Sequence, residues 1–429
     1  MSEVVPEDRI RGTLGELLSL KYGKSLPAAI RDASGSVPVF GSSGVVGKHS
    51  SALTTGPTII VGRKGNVGAV HFSAVPCWPI DTAYFVEPPA GHSATYYRYL
   101  LTSLNLVRLD KSTAIPGLSR DDYNAVEVAV HAPAQQIEIV SELEKQFSRL
   151  DEAVANLQRV KANLKRYKAA VLKAAVEGRL VETEATLARR EGRTYETGEQ
   201  LLQRILAERR GKWAGKGKYK EPVAPDTACF SALPAGWVWT SGDQLTSVIT
   251  DGEHITPRRT SEGVLLLSAR NVLNGRLALD DVDYVPEDEY ERIAKRIAIQ
   301  AGDVLLSCSG TVGRSCVVPT GLRFTLVRSV AVLRPVIVLA DFMTYNLQSP
   351  LGQSQIDDRK TQTAQANLFQ GKIRQLVFAL PPLAEQARIV AEVDRHLSII
   401  REVEAEVDAN LLRAQALRQA TLAKAFEHG

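Results

Sequence analysis

The chain has little of what catalysis by a protein of 429 residues usually requires. Its seven histidines and four cysteines (Cys77, Cys229, Cys308, Cys316) form no CxxC pair and no HExxH helix, so metal-ligating spacings are missing. No GxSxG elbow offers a nucleophilic serine, and no GxGxxG follows a strand to take a dinucleotide. Transfer of a methyl group to a base amine would call for a [DNS]-P-P-[YFW] loop. The Pro-Pro pairs present, Glu87-Pro88-Pro89-Ala90 and Leu380-Pro381-Pro382-Leu383, have other neighbours. No apolar run approaches about 18 residues, which excludes a membrane-spanning helix. The charged opening, MSEVVPEDRIRG, lacks the apolar centre of a secretory signal. Unpaired cysteines fit reduced thiols, and a cytoplasmic location is expected.

One stretch imitates a phosphate-binding loop. Phe40–Ser50 (FGSSGVVGKHS) spaces Gly41, Gly44 and Gly47 ahead of Lys48. A P-loop needs a glycine five residues before its Gly-Lys pair and a hydroxyl after the lysine, where Ser42 and His49 stand here. Nucleotide-driven chemistry is thereby excluded from this stretch. Together these absences favour a protein that binds over one that reacts.

What is present is repetition. Residues 112–179 fall on 362–429 without a gap, roughly a quarter of the positions being identical. Thr113-Ala114 meets Thr363-Ala364, Leu118 meets Leu368, Gln136 meets Gln386, and Ile139-Val140 meets Ile389-Val390. Upstream, Gly56–Val70 and Gly302–Val317 each read as strand, glycine turn and strand. Each repeat ends in apolar residues stepped by three and four, the seam of a long helix. Leu143, Phe147, Leu150 and Leu157 carry it in the first copy, and Val393, Leu397, Ile400 and Val407 in the second. At 1.5 Å per residue each helix runs roughly 60–65 Å, too long to bury its seam in its own domain, so the other copy is the expected partner. Between the repeats, Arg189–Lys220 is rich in Lys and Arg, and reads as a solvated linker or as a segment lying along a polyanion.

The fold class expected is α+β: two globular α/β domains separated by two long helices that form an antiparallel coiled coil. The boundaries are a first domain at 1–133, helix at 134–180, basic connector at 181–229, second domain at 230–382 and helix at 383–429.

This plan, with PVFGSSGVVGKH, WPIDTAYFV, LSRDDYNAVEV, KAAVEGRLV, GKYKEPVAPDT, LPAGWVW and PPLAEQARIV in this order, resembles the DNA-specificity subunit of type I restriction-modification systems. The resemblance implies a non-catalytic chain with two target-recognition domains, each reading one half of a split, asymmetric site in double-stranded DNA. It implies docking of two modification (adenine methyltransferase) subunits and of restriction and translocase subunits. S-adenosylmethionine, ATP and Mg would sit on those partners, with no cofactor in this chain. A specificity subunit of a modification-only system is the nearest alternative. A coiled-coil scaffold whose globular ends bind proteins is the more distant one.

Phosphates are met by Lys and Arg, guanine by Arg, and adenine by Asn or Gln. The DNA-contact candidates in the first domain are therefore Lys48, Arg63, Lys64, Lys111, Ser112, Thr113 and Arg120. In the second they are Arg258, Arg259, Arg270, Asn271, Arg314, Arg359, Lys360 and Gln362.

Overall fold

In the computed structural model, residues 9–110, 117–214, 217–361 and 366–426 are described. They fall into two compact units, Met1–Val160 with Glu406–Gly429, and Lys161–Ala405.

In the first unit, Arg9–Thr13 pairs antiparallel with Glu127–His131. A four-stranded sheet orders Lys21–Tyr22, Ala83–Val86, Thr58–Gly62 and Val70–Ser73. A three-stranded one orders Gly44–His49, Val37–Gly41 and Trp78–Pro79. The stretch that imitated a phosphate loop is thus a β-hairpin, closing at Gly41 opposite Gly44, with φ +101° at Gly44. Helix Ala94–Ser103 adds Tyr96, Tyr97, Leu100 and Leu101 to the core.

The second unit repeats the plan. Val238–Ser241 pairs with Val377–Leu380. The four-stranded order is Thr246–Asp251, Val330–Pro335, Val304–Ser307 and Ser315–Val317. Its three-stranded sheet again contains a parallel pair, Val264–Leu267 beside Phe324–Leu326. Individual hydrogen bonds recur too. Gly68 N–H donates to the Gly62 carbonyl as Gly313 N–H donates to that of Ser307, at 2.9 and 3.0 Å. The duplication seen in the letters is a duplication of backbone geometry.

The long helices are Pro133–Val176 and Leu383–Ala425. Residues from both are found in each unit, and their direction is antiparallel there. In the first, Asp151 pairs with Arg418 at 2.6 Å, and that guanidinium stands 4.5 Å from the Phe147 ring centroid. In the second, Tyr167 Oη meets His396 Nδ1 at 2.8 Å. The seam also differs from a pure helix–helix seam. Leu143 and Phe147 enter the core that holds Tyr99, Leu422 and Phe426. Val393, Leu397 and Ile400 enter the core of Phe342, Tyr345 and Leu201. Val407 is buried, while Leu150 and Leu157 are half-buried. The opening turns of each helix lie against a globular domain, so their apolar face is shared between sheet and partner helix.

The basic connector is not a bare linker. It forms helices Glu184–Glu191 and Gly198–Gly211, and Leu201, Leu202 and Ile205 join Val171, Leu172 and Trp237 in the second core. A Cβ on Gly198 would lie 2.4 Å from the Leu380 carbonyl oxygen, so only glycine permits this docking. Its cations are largely spoken for by neighbours: Arg190 by Glu182, Arg193 by Glu184 and Glu191, Arg204 by Glu196, and Lys212 by Glu208.

Candidate nucleic-acid interface

The first unit gathers its candidates around one exposed ring. Tyr22 ends a short edge strand and is 53% exposed. The guanidinium carbons of Arg63 and Arg120 lie 5.7 and 5.8 Å from its centroid, within cation–π range. Arg63 is fixed by donating Nε and Nη2 to the Asp81 carbonyl at 3.0 and 2.6 Å. Arg120 is exposed at the start of the short helix Arg120–Asn124. Tyr84 packs edge-on against Tyr22 at 4.9 Å. Burial, with help from the Tyr22 hydroxyl, pushes the Tyr84 phenol up to about 12, so it stays neutral and donates to the Leu118 carbonyl at 3.3 Å. Lys64 is exposed beside this group, its backbone bridged to Gly117. Lys48 is exposed on the hairpin strand Gly44–His49. Lys111, Ser112 and Thr113 lie outside the described residues.

The second unit treats its candidates differently. Arg258 pairs with Asp288, Arg259 with Asp283 at 3.7 Å, and Arg270 with Asp283 and Asp281 at 3.3 and 3.4 Å. These pairs are exposed and weak, so they can be exchanged for phosphate contacts. Asn271 is a correction. It is 2% exposed, accepts the Ser268 N–H at 2.9 Å, and donates to the Ala278 and Asp281 carbonyls at 3.1 and 2.8 Å. Its amide holds a turn together and has no edge left for a base. Arg359 Nη1 donates to the Gln355 carbonyl and Lys360 pairs with Asp357 at 2.6 Å, both within one helical turn. Arg314 is half-buried. Gln362 lies outside the described residues.

A cleft of about 610 Å³ opens in this unit, and sequence reasoning missed most of its lining. Asp251, His254, Arg259, Arg328 and Gln370 are among its polar groups. Phe369, 62% exposed, stands at its edge. Asp251 accepts from Gln370 Nε2 and lies 3.1 Å from His254 Nε2. A signal for Gln370 was available: the gapless overlay of the two copies places it on Arg120, a residue already chosen. Among the described residues, no group of three or more His, Cys, Asp or Glu could hold a metal ion. Nor is any helix there long and apolar enough to cross a membrane.

The surface is thus a pair of repeated folds bearing cations, amides and rings, the class of surface that reads a polyanion. Residues 282–410 match the family of the type I restriction modification DNA specificity domain. Among curated relatives, the Escherichia coli type I restriction enzyme EcoBI specificity subunit is 26% identical over 167 residues, 38% of this chain and 35% of that protein. The Salmonella potsdam StySPI specificity subunit is 34% identical over 90 residues, 21% of this chain and 19% of that one. The matched stretches span about a third or less of these relatives' lengths. For the whole chain, a solved structure described under complex assembly and conformational transition of the type I R-M system superposes with TM-score 0.61 and 17% identity, covering 99% of both chains. That last likeness is one of fold. The resemblance read from the sequence is borne out by these matches.

Proposed function

We propose that this chain is the non-catalytic DNA-recognition subunit of a type I restriction-modification complex, each domain reading one half of a split target. One observation carries the reading. The same backbone hydrogen bonds recur in both units while the side chains set on them differ, as Tyr22 and Arg120 differ from Asp251 and Gln370. Two equal frames with unequal surfaces suit two unequal half-sites. Phosphate contacts from Lys48, Lys64, Arg258, Arg259 and Arg314 would set register and supply most of the affinity, with few side chains touching base edges. The long helices would dock modification subunits, and a restriction and translocase subunit would complete the assembly. S-adenosylmethionine, ATP and Mg belong in this reading to those partners.

The test is to express the chain with a type I methyltransferase subunit that assembles with it, in a host without DNA methylation, and to map modified adenines. One split motif with two different halves is the expected result. An assembled complex that modifies nothing, or modifies without a split motif, overturns the proposal.

A further inference from the structure

The two units can be overlaid hydrogen bond by hydrogen bond, which shows which residues occupy the same place. Leu118 N–H donates to the Arg63 carbonyl at 2.9 Å, and Leu368 N–H to that of Cys308 at 2.9 Å. The bridge Lys64–Gly117 is matched by Ser309–Asn367. Two residues after these leucines, the short helices Arg120–Asn124 and Gln370–Arg374 begin. On the facing strand, Tyr22 pairs with Tyr84 and Asp251 with Ala331. The next N–H groups, of Gly23 and Gly252, donate to the Ala83 and Val330 carbonyls at 3.1 and 2.9 Å. Arg120 therefore stands where Gln370 stands, and Tyr22 where Asp251 stands. In both units the residue opening the short helix reaches across to the residue ending the edge strand: Arg120 over the Tyr22 ring, Gln370 onto the Asp251 carboxylate.

We infer that Arg120 and Gln370 are the equivalent base-reading residues of the two half-sites, Arg120 for a guanine and Gln370 for an adenine. This rests on the function proposed above. An amide has two N–H donors and one acceptor oxygen. A carboxylate accepts only, so Asp251 fixes the amide with Nε2 turned towards it. That leaves Gln370 one N–H and Oε1, the donor–acceptor pair that matches adenine N7 and N6 in the major groove. His254, on the other oxygen of Asp251, holds the carboxylate in turn. Asp251 is thus a positioning residue, removing rotamer freedom from Gln370 before DNA arrives. Arg120 lies over Tyr22 in the same role, its fork of donors matching guanine O6 and N7. The positions are equivalent and the chemistry is exchanged, as two different half-sites require.

The experiment is motif mapping with the full chain in its methyltransferase complex. Loss of a bidentate base contact lowers discrimination by roughly 5- to 150-fold. Gln370→Ala should relax one position in one half of the motif by such a factor, leaving the other half unchanged. Asp251→Ala should relax that same position, and Gln370→Arg should move its preference from adenine towards guanine. Arg120→Ala should relax one position in the opposite half. Arg120 is exposed, so this variant decides its half even if changes at Gln370 impair assembly. Gln370→Met, which keeps the volume, then decides the other. A wild-type complex giving a split motif that survives Arg120→Ala and Gln370→Ala or Met unaltered overturns this inference and leaves the recognition reading standing. A wild-type complex without a split motif overturns both.

Discussion

Gln386 offers the sharpest test of how the long helices are joined to the domains. It is fully buried at the first turn of the second long helix. Its Oε1 accepts the Leu339 N–H at 3.1 Å, and its Nε2 donates to the Pro381 carbonyl at 3.1 Å. Leu339 caps helix Ala340–Gln348, and Pro381 follows strand Val377–Leu380, so one side chain ties strand, domain helix and long helix. Gln136 does the same in the first unit, accepting the Ser93 N–H at 3.0 Å and donating to the His131 carbonyl at 2.8 Å. Gln386→Ala loses two hydrogen bonds worth about 1 kcal/mol each, and leaves the buried Pro381 carbonyl without its partner at a further 1–3 kcal/mol. The expected loss is about 3–5 kcal/mol. Gln386→Met keeps the volume but loses the same bonds and should still lose about 3 kcal/mol or more, which separates the amide bonds from the cavity. Hydrogen exchange through a urea series locates the loss. Peptides around Leu339 should exchange faster in the Gln386 variants, and those around Ser93 only in the Gln136 variants. A loss under about 1 kcal/mol for Gln386→Ala, or full recovery with Met, would refute the argument.

Three other perturbations follow from the same contacts. Burial alone would raise the Glu184 carboxyl, but the guanidiniums of Arg193 and Arg388, at 2.5 and 2.7 Å, outweigh it and hold the group below its ordinary 4.5. A lowered folded pKa adds stability above the unfolded value and gives it up as pH falls through the folded one. The urea midpoints of wild type and Glu184→Gln should therefore differ at pH 7 and converge on acidification towards pH 3, and a gap independent of pH contradicts this pairing. Asn271→Ala should cost about 3 kcal/mol by thermal melting, since three bonds to backbone groups go with it, and should leave the methylated motif unaltered. Arg359→Ala with Lys360→Ala should weaken DNA binding alike for all sequences and flatten its salt dependence while assembly persists; unchanged affinity at low salt removes this helix end from the interface.

Much of the architecture was legible because it rests on patterns local in the chain. The two copies align through 112–179 and 362–429, and three-and-four steps of apolar residues mark both helices. Strand, turn and strand were visible at Gly56–Val70 and Gly302–Val317 for the same reason. The interface was less legible because its chemistry depends on partners distant in sequence or carried by the backbone. Arg258 looked free until Asp288 came beside it, and Asn271 looked like a base reader because its partners, two carbonyls and an N–H, have no letter of their own. In the basic connector the partners were nearer in the chain. Glu182, Glu191, Glu196 and Glu208 stood within about two helical turns of the cations they neutralise, close enough to be read.

The residues that diverge most usefully are those whose backbone is held by others. Tyr22 and Asp251 are each followed by a glycine that packs against a carbonyl: a Cβ on Gly23 would meet the Ile80 oxygen at 2.1 Å, and one on Gly252 the Val327 oxygen at 2.2 Å. Those glycines fix the path of the edge strand whatever side chain precedes them. Arg120 and Gln370 likewise open helices whose placement is set by buried Leu118 and Leu368. These positions can then exchange ring for carboxylate, or guanidinium for amide, with little cost to the frame. A fold that must present different chemistry from the same place gains by this separation, since what binds and what holds are carried by different residues.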